Sequence, residues 1–176
     1  MAGTLARVLD AGGHRGVRPA DVGAPLILRT EAFDDGQLMP SSCSRDGGNQ
    51  PPTLTWSDLP DGTAEIELLL QDLDADDGSS LHWLLTGMMP AASGVSPGSV
   101  AGARVWANDF GARGYSGPRP PVGEEPHRYG FRVYALPRPL GLPAVMDPAE
   151  VHERLEQEAA ATGTLVGLYR RECAVR

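Results

Sequence analysis

The sequence predicts a mainly β protein, an antiparallel β-sandwich with a peripheral helix near its C-terminal end. Three observations lead to this fold class. Apolar residues repeat with strand periodicity in most ordered segments, and the strongest helical pattern comes late in the chain. The 176 residues also include 22 Gly and 16 Pro, which favour turns between short strands. Because helices do not alternate with strands, a parallel doubly wound sheet is not expected.

The two clearest strand patterns lie in the middle of the chain. Residues 64–71 read AEIELLLQ, with an apolar residue at every second position and an apolar end, which is typical of a strand entering the core. Residues 128–136 read RYGFRVYAL, in which Tyr129, Phe131 and Val133 occupy alternate positions. Further strands are predicted at residues 26–30, 53–56, 81–88, 103–107 and 163–170, and turns at residues 34–36 and 59–62.

The helical pattern covers residues 148–161. Asp147 can cap the first turn, and Pro148 suits the first helical position, where no backbone N–H is needed. One face of the helix is apolar, formed by Val151, Leu155 and Ala159. Gly163 is expected to end the helix, because glycine readily adopts the left-handed conformation common after a helix.

Length and composition favour one soluble domain. Residues 1–24 are rich in Gly, Ala and Arg and are predicted to form a partly extended N-terminal arm, with a short helix over residues 4–10. Residues 25–176 are predicted to form a single domain. The first residues lack the apolar centre of a signal peptide, and no stretch approaches the length of a membrane span, so a cytoplasmic location and no stable membrane insertion are expected.

Charge and reactive residue types narrow the function further. The formal net charge is −8, which disfavours nucleic acid and anionic membrane surfaces as partners. All 15 basic residues are Arg, so lysine Schiff-base chemistry is excluded. Cys43 and Cys173 do not have metal-type spacing. Two free thiols in a reducing cytoplasm and a disulfide between them both stay open.

Polar side chains gather at the ends of the predicted strands. The acidic segment 72–77 resembles a calcium loop, but Trp83 occupies the twelfth position where such a loop needs Glu, so no metal is expected and a solvated loop is the alternative. His82 lies in an apolar run and is either a core histidine or a site residue. The Gly/Pro-rich segment 114–121, followed by His127, is either a plain surface loop or a cradle of backbone N–H groups for an anion.

These segments and their neighbours form one ordered series of motifs: Gly47-x-Asn49, Pro52-x-Leu54-x-Trp56, Asp72-x-Asp74-Ala75, His82-Trp83, Gly114-Tyr115-x-Gly117-Pro118-x-Pro120-Pro121, His127-Arg128-Tyr129, Tyr134-Ala135-Leu136 and Gly167-x-Tyr169-Arg170. The series runs from about Leu26 to Arg171 and resembles the phosphatidylethanolamine-binding protein family, in its bacterial Raf-kinase-inhibitor-like branch. The resemblance implies a β-sandwich with a pocket at one end of the sheet for phosphate-like anions or phospholipid head groups. The ligand-binding residues that it implies are Asp72, Asp74, His82, Tyr115, Gly117, Pro118 and His127.

The acidic motif departs from the family pattern. The family reads Asp-Pro-Asp-Ala-Pro where this chain has Leu73 and Asp76 in place of the two prolines. Asp76 adds a negative charge that would repel a bare phosphate if it faced the pocket. Gly87 stands near the place where the family often has Asn.

The leading hypothesis is a soluble binding protein for a small anionic or zwitterionic ligand, without a cofactor. The alternative is an enzyme in which Asp72, His82 and His127 act as general acid and base in the cyclisation, isomerisation or hydrolysis of an apolar small molecule. A second alternative is a regulatory module that docks a protein partner. Kinase inhibition, known among eukaryotic relatives, does not carry over from these residues. Because family members often pair, the resemblance also implies a homodimer.

Overall fold

The computed structural model describes residues 26–76 and 80–172, which form nine strands, one α-helix and one 3-10 turn. The strands are β1 (Ile27–Arg29), β2 (Gln37–Leu38), β3 (Leu54–Ser57), β4 (Glu65–Asp72), β5 (Ser80–Met88), β6 (Gly94–Val95), β7 (Arg104–Val105), β8 (His127–Leu136) and β9 (Ala161–Tyr169). The helix α1 covers Pro148–Glu158, and the 3-10 turn covers Ser41–Cys43.

Within the described residues the strands form two sheets. The larger sheet has the order β2-β9-β8-β4-β5-β7, and the smaller one has the order β1-β3-β6. Neighbouring strands are antiparallel, except that β2 pairs parallel with β9 at one edge. The predicted fold class, a mainly β antiparallel sandwich with a peripheral helix, is confirmed.

The larger sheet is covered on both faces, which explains the apolar character of β4. Ile66, Leu68 and Leu70 face the core shared with the small sheet, where Leu54 and Trp56 of β3 also lie. The intervening Leu69 belongs to a second core under α1, together with Val151 and Leu155. A strand that is buried on both faces shows an apolar run where a half-exposed strand would alternate.

The helix begins as predicted and ends earlier than predicted. The Asp147 side chain accepts a hydrogen bond from the Ala149 N–H at 2.9 Å, and Pro148 occupies the first turn. Gly163 does not end the helix, because the chain is already extended at Ala159 and Gly163 lies within β9. A Cβ atom on Gly163 would lie 2.6 Å from the Leu26 carbonyl oxygen, so this glycine permits a close approach of two backbones.

Two short strands, β2 and β6, were not predicted. Each has two residues, which is too short to show a periodic pattern. Their positions depend on partners distant in the chain: Gln37 pairs with Gly167, and Val95 pairs with Leu54.

Some predictions fall outside the described residues, namely the N-terminal arm (residues 1–24) with its short helix, and Cys173. Cys43 is buried, at 3% exposure. Across residues 26–76 and 80–172, no helix has the length and apolar character needed to cross a membrane.

Candidate functional site

Three neighbouring strands of the larger sheet have ends that lie close together, on the same side of the sheet. Asp72 is the last residue of β4, Ser80 is the first of β5, and His127 is the first of β8. In the ladder, Asp72 lies opposite Ser80 on one side and opposite Tyr129 on the other. The antiparallel order β8-β4-β5 therefore brings together side chains that are up to 55 residues apart in sequence.

A bulge in β5 sets the position of His82. Leu70 pairs with Trp83, whereas the next residue of β4 pairs with Leu81, so the register shifts by one residue. His82 is the extra residue of β5 at this shift. Bulges commonly redirect a side chain near a functional site. Here the His82 imidazole is buried, at 3% exposure, within an apolar strand.

The strand ends open into a cavity of about 530 Å³, a size typical of small-molecule sites. Its described lining combines cationic, acidic and apolar side chains: Arg45, Asp72, Ala75, Asp76, Ser80, His82, Phe110, Arg119, Pro120, Pro121, His127 and Tyr129. The mixed lining suits a ligand that carries both a charged group and an apolar part.

The Asp72 carboxylate holds His127. Oδ2 of Asp72 lies 2.9 Å from Nδ1 of His127, and Oδ1 accepts a hydrogen bond from the Asp74 N–H at 3.0 Å. Oε2 of Glu124 lies 3.6 Å from the other ring nitrogen, Nε2. Burial opposes a charge on His127, but the hydrogen bond and charge of Asp72, the hydrogen bond of Glu124 and the charge of Asp74 outweigh it and raise the pKa of His127. His127 therefore keeps its positive charge to higher pH than an unperturbed histidine, at the lining of the cavity.

His82 has the opposite tendency. Its Nδ1 lies 2.6 Å from the Ser116 carbonyl oxygen, which can only accept, so Nδ1 carries the hydrogen. Burial lowers the pKa of His82 below its ordinary value, against the opposing effect of the Ser116 hydrogen bond. The ring is therefore neutral near pH 7, and its Nε2 is an acceptor.

The Tyr129 hydroxyl completes the polar floor of the cavity. It is buried next to the Asp72 carboxylate and the Arg119 backbone. Burial and the neighbouring Asp72 carboxylate raise the pKa of Tyr129, so the hydroxyl stays protonated. Its ring also lies against His82, with centroids 5.3 Å apart and an angle of 84°. Because Tyr129 lines the cavity, its protonated hydroxyl lies where a polar group of a ligand could reach it.

Comparison with known proteins identifies the family and agrees with the fold. The family model for phosphatidylethanolamine-binding proteins matches residues 29–170. The chain belongs to the phosphatidylethanolamine-binding protein family. The resemblance seen in the sequence is thereby confirmed.

Individual relatives agree with the family model. The chain is 37% identical over 152 residues to a putative lipoprotein, LppC, of Mycobacterium tuberculosis, covering 86% of this chain and 75% of LppC. It is similar to the structure of a putative phosphatidylethanolamine-binding protein homolog from Chlamydia trachomatis, with a TM-score of 0.75 and 29% identity over 84% of this chain and 98% of that one. The structure of Escherichia coli YbcL gives a TM-score of 0.77 and 26% identity over 84% and 99% of the two chains.

Of the residues that the family motifs suggest, three line the cavity directly: Asp72, His82 and His127. The other four, Asp74, Tyr115, Gly117 and Pro118, lie outside its described lining. Asp74 forms an ion pair with Arg128 at 2.6 Å, and the hydrogen bond from Arg128 lowers the pKa of Asp74 to about 2. Asp74 therefore anchors the acidic turn to β8, and its carboxylate is already occupied.

The other three residues hold the Gly/Pro-rich loop in place. The Tyr115 hydroxyl donates to the Cys43 carbonyl at 2.8 Å. The Gly117 N–H donates to Oδ1 of Asn49 at 2.7 Å, and the Pro118 carbonyl accepts from the Arg45 N–H at 3.1 Å. All three contacts join the loop to residues 43–49, so they act on the wall of the cavity.

Arg45 and Arg119 are the cationic cavity residues that sequence reasoning missed, and Ser80, Phe110 and Tyr129 are further lining residues outside the predicted set. Arg45 lies just after the 3-10 turn, in a segment that looked like an ordinary polar loop, and the Arg119 side chain is held by Asp46 at 3.2 Å. Asp46 also binds Arg171 at 2.8 Å. One signal was available: Arg119 is the cation within the motif Gly117-Pro118-x-Pro120-Pro121, at its variable position.

The departures from the family motif have visible consequences. The Leu73 N–H, which a proline would lack, donates to the Arg128 carbonyl at 2.9 Å. Asp76 is exposed and lines the cavity, opposite in charge to Arg45 and Arg119. The cavity therefore has a carboxylate rim, formed by Asp72 and Asp76, as well as a cationic rim, formed by Arg45 and Arg119. Among the described residues, no group of three or more His, Cys, Asp or Glu side chains is arranged to hold a metal ion.

Proposed function

We propose that the cavity binds a small anionic or zwitterionic ligand with a phosphate-type head group. The observation that carries this proposal is the arrangement of Arg45, Arg119 and His127 around one cavity. Burial opposes a charge on His127, but the Asp72 carboxylate at 2.9 Å outweighs this effect and raises the pKa of His127. Cationic side chains are strong partners for phosphate oxygens because their hydrogen bonds are charge-assisted.

The remaining polar groups suit the other parts of such a ligand. The Tyr129 hydroxyl can donate to a phosphate oxygen, and Nε2 of the neutral His82 can accept from a protonated one. The carboxylates of Asp72 and Asp76 can receive an ammonium group, which would favour a zwitterion over a bare anion. The proposal therefore ranks phosphoethanolamine above inorganic phosphate for this charge pattern.

Calorimetric titration with phosphoethanolamine and inorganic phosphate tests the proposal. We expect Arg119→Ala and Arg45→Ala each to weaken binding by about tenfold or more, the loss expected for a hydrogen bond to a charged group. Arg138→Ala is the matched control, because Arg138 is exposed and pairs with Glu158 away from the cavity. Equal affinities of the parent and both cavity variants would refute the site.

The role of Asp76 can be tested in the same titrations. Asp76→Asn should strengthen the binding of inorganic phosphate, since it removes a repulsive charge, and should weaken the preference for phosphoethanolamine. If the variant changes the affinity for both ligands equally, the carboxylate rim does not contact the ammonium group. The ligand is then better described as a simple anion.

An enzyme is the second candidate, and one observation favours it. The cavity contains two histidines with opposite pKa shifts, which is the arrangement that general acid–base chemistry requires. Native mass spectrometry of freshly purified protein would identify any co-purified molecule. Turnover of that molecule by the parent, lost in both His82→Ala and His127→Ala, would support catalysis. Binding without turnover would support the first proposal.

A cytoplasmic location, a homodimer and the docking of a protein partner stay predictions. The name of the Mycobacterium tuberculosis relative LppC, a putative lipoprotein, raises the envelope as the alternative location. Cell fractionation would separate these locations, and light scattering of the purified protein would give its oligomeric state.

A further inference from the structure

We infer that Phe110 is a specificity-determining residue, which favours an organic anion whose charged group is attached directly to a flat apolar group, such as an aryl phosphate. This inference rests on the proposed function, because it concerns the part of the ligand that adjoins the anion. It goes further in naming a substituent and the side chain that selects it.

The Phe110 ring lies between the cationic and the histidine parts of the cavity. The Arg45 guanidinium carbon is 4.9 Å from the centroid of the ring. The ring also contacts the His82 ring, with centroids 4.7 Å apart at an angle of 64°. An anion that binds Arg45 near His82 therefore has the aromatic ring as its immediate neighbour. Although the ring contacts both groups, 41% of Phe110 remains exposed.

A buried polar network fixes the loop that carries Phe110. The Phe110 N–H donates to Oδ1 of Asn108 at 3.1 Å. Asn108 is 6% exposed, and its Nδ2 donates to the carbonyl of His82 at 3.3 Å and to Oγ of Ser116 at 2.9 Å. The residue before Phe110 is tied to the same strand as His82, since Asp109 forms backbone and side-chain hydrogen bonds with Leu81.

This network holds the backbone that carries Phe110 next to His82, and the contacts of the ring with Arg45 and His82 place the side chain. Rigid placement by supporting hydrogen bonds is the feature that distinguishes a selective site from a loosely held surface side chain. A single exposed aromatic residue is otherwise unremarkable on a protein surface. The combination of exposure, placement in the cavity and a fully bonded supporting loop points to contact with a ligand.

The size and lining of the cavity agree with an apolar substituent. A volume of about 530 Å³ falls in the range for organic ligands. Ala75, Pro120 and Pro121 join Phe110 in supplying an apolar lining. Aromatic rings gain from stacked or edge-to-face contacts with other rings, so a flat substituent is favoured over a flexible polar one.

Calorimetric titrations with three probes test the inference: inorganic phosphate, phosphoethanolamine and phenyl phosphate. We expect the parent to bind phenyl phosphate more tightly than inorganic phosphate. Phe110→Ala should weaken the binding of phenyl phosphate about two- to tenfold more than it weakens the binding of inorganic phosphate, since this is the range that an aromatic pair contributes. Phe110→Leu, which keeps an apolar side chain, should show a smaller loss. Leu38→Ala is the control, because Leu38 is 54% exposed outside the cavity.

The possible outcomes separate this inference from the proposed function. If phosphate binding depends on Arg119 but phenyl phosphate has no advantage, or keeps its advantage in Phe110→Ala, the inference is overturned and the proposed function stands. If Phe110→Ala weakens the binding of all three probes equally, the ring only shields His82 from solvent, and the inference is again overturned. If the parent binds none of the probes, the proposed function fails and the inference fails with it. Thermal unfolding of each variant verifies that it is folded.

Discussion

Residues of the same type in this protein differ in their pKa because burial and neighbouring charges differ from one position to another. His82 and His127 are both histidines at strand ends, yet burial lowers the pKa of the first, while Asp72 and Glu124 raise that of the second. Glu67 is a further case outside the cavity. It is fully buried, and burial followed by the charge of Glu65 raises the pKa of Glu67 to about 9.

The charge on His127 predicts a pH-dependent affinity. Phosphoethanolamine binding should weaken as pH rises through the raised pKa of His127, because the imidazolium donor is lost. Asp72→Asn should shift this loss to lower pH by removing the carboxylate that stabilises the charged ring. Titration of the His127 ring by NMR, alongside calorimetry at several pH values, measures both effects. An affinity that stays constant across the His127 titration would contradict a ligand contact by this residue.

The proton on Glu67 predicts a pH-dependent stability. Because the folded pKa is raised, the folded state binds more protons than the unfolded state between about pH 4.5 and 9, and stability falls as pH rises through this window. Glu67→Gln keeps the shape of the protonated acid and removes the titration. Relative to the parent, the variant should gain at most about 1.4 kcal/mol per pH unit in free energy of unfolding across this window.

Urea unfolding at pH 5, 7 and 9 measures the difference between Glu67→Gln and the parent. Glu153→Gln, an exposed position on α1, is the control and should follow the parent. A constant difference between Glu67→Gln and the parent would mean that Glu67 does not titrate in this range.

Individual elements show where periodicity predicts structure and where it does not. The strands β4, β5 and β8 and the start of α1 were predicted from local patterns, because their apolar residues repeat over eight or more positions. The end of α1 was predicted wrongly, since Gly163 was assigned a capping role. Its actual constraint is the Leu26 carbonyl, which belongs to a segment more than 130 residues away and leaves no local signal.

Gly163→Ala is therefore expected to destabilise the sandwich. A Cβ atom would lie 2.6 Å from the Leu26 carbonyl oxygen, and backbone cannot move aside cheaply, so a loss of about 1–3 kcal/mol is expected. Gly130→Ala in the adjacent strand β8 is the matched comparison. There the nearest atom is the Cδ1 of the Leu73 side chain at 3.2 Å, which can rotate away. Thermal unfolding should give Gly163→Ala a clearly lower Tm than Gly130→Ala. The reverse order would contradict the close backbone contact proposed for Gly163.

At the scale of the whole molecule, the cavity depends on the meeting of two distant segments. Residues 43–49 carry Arg45, and the Gly/Pro-rich loop carries Arg119. They are joined by the hydrogen bond from Gly117 to Asn49, whose residues are 68 positions apart, and by that from Tyr115 to Cys43, 72 positions apart. Gly117 also packs directly against the Cys43 carbonyl, which leaves no room for a side chain.

Asn49 does not line the cavity, but it should affect ligand binding there by holding the two segments together. Its φ of 54° is left-handed, so Asn49→Gly keeps the backbone while removing the acceptor for the Gly117 N–H. We expect a loss of about 1–3 kcal/mol in stability and weaker phosphoethanolamine binding through displacement of the two arginines. Asn49→Asp keeps the acceptor and tolerates this backbone conformation, so it should retain more of both properties. Equal behaviour of the two variants in unfolding and calorimetry would show that the hydrogen bond is not what joins the segments.

By itself, the sequence determined the β-rich fold class, the late capped helix and the order of motifs that marks the family, because these depend on local periodicity and on residues near each other in the chain. It also singled out Asp72, His82 and His127 as a group. The tertiary structure alone decided that Arg45 and Arg119 join them, that Asp74 is occupied by Arg128, and that the pKa values of the two histidines shift in opposite directions. The physical reason is that a cavity and its electrostatics arise from contacts between segments that are far apart in sequence, where periodicity carries no information.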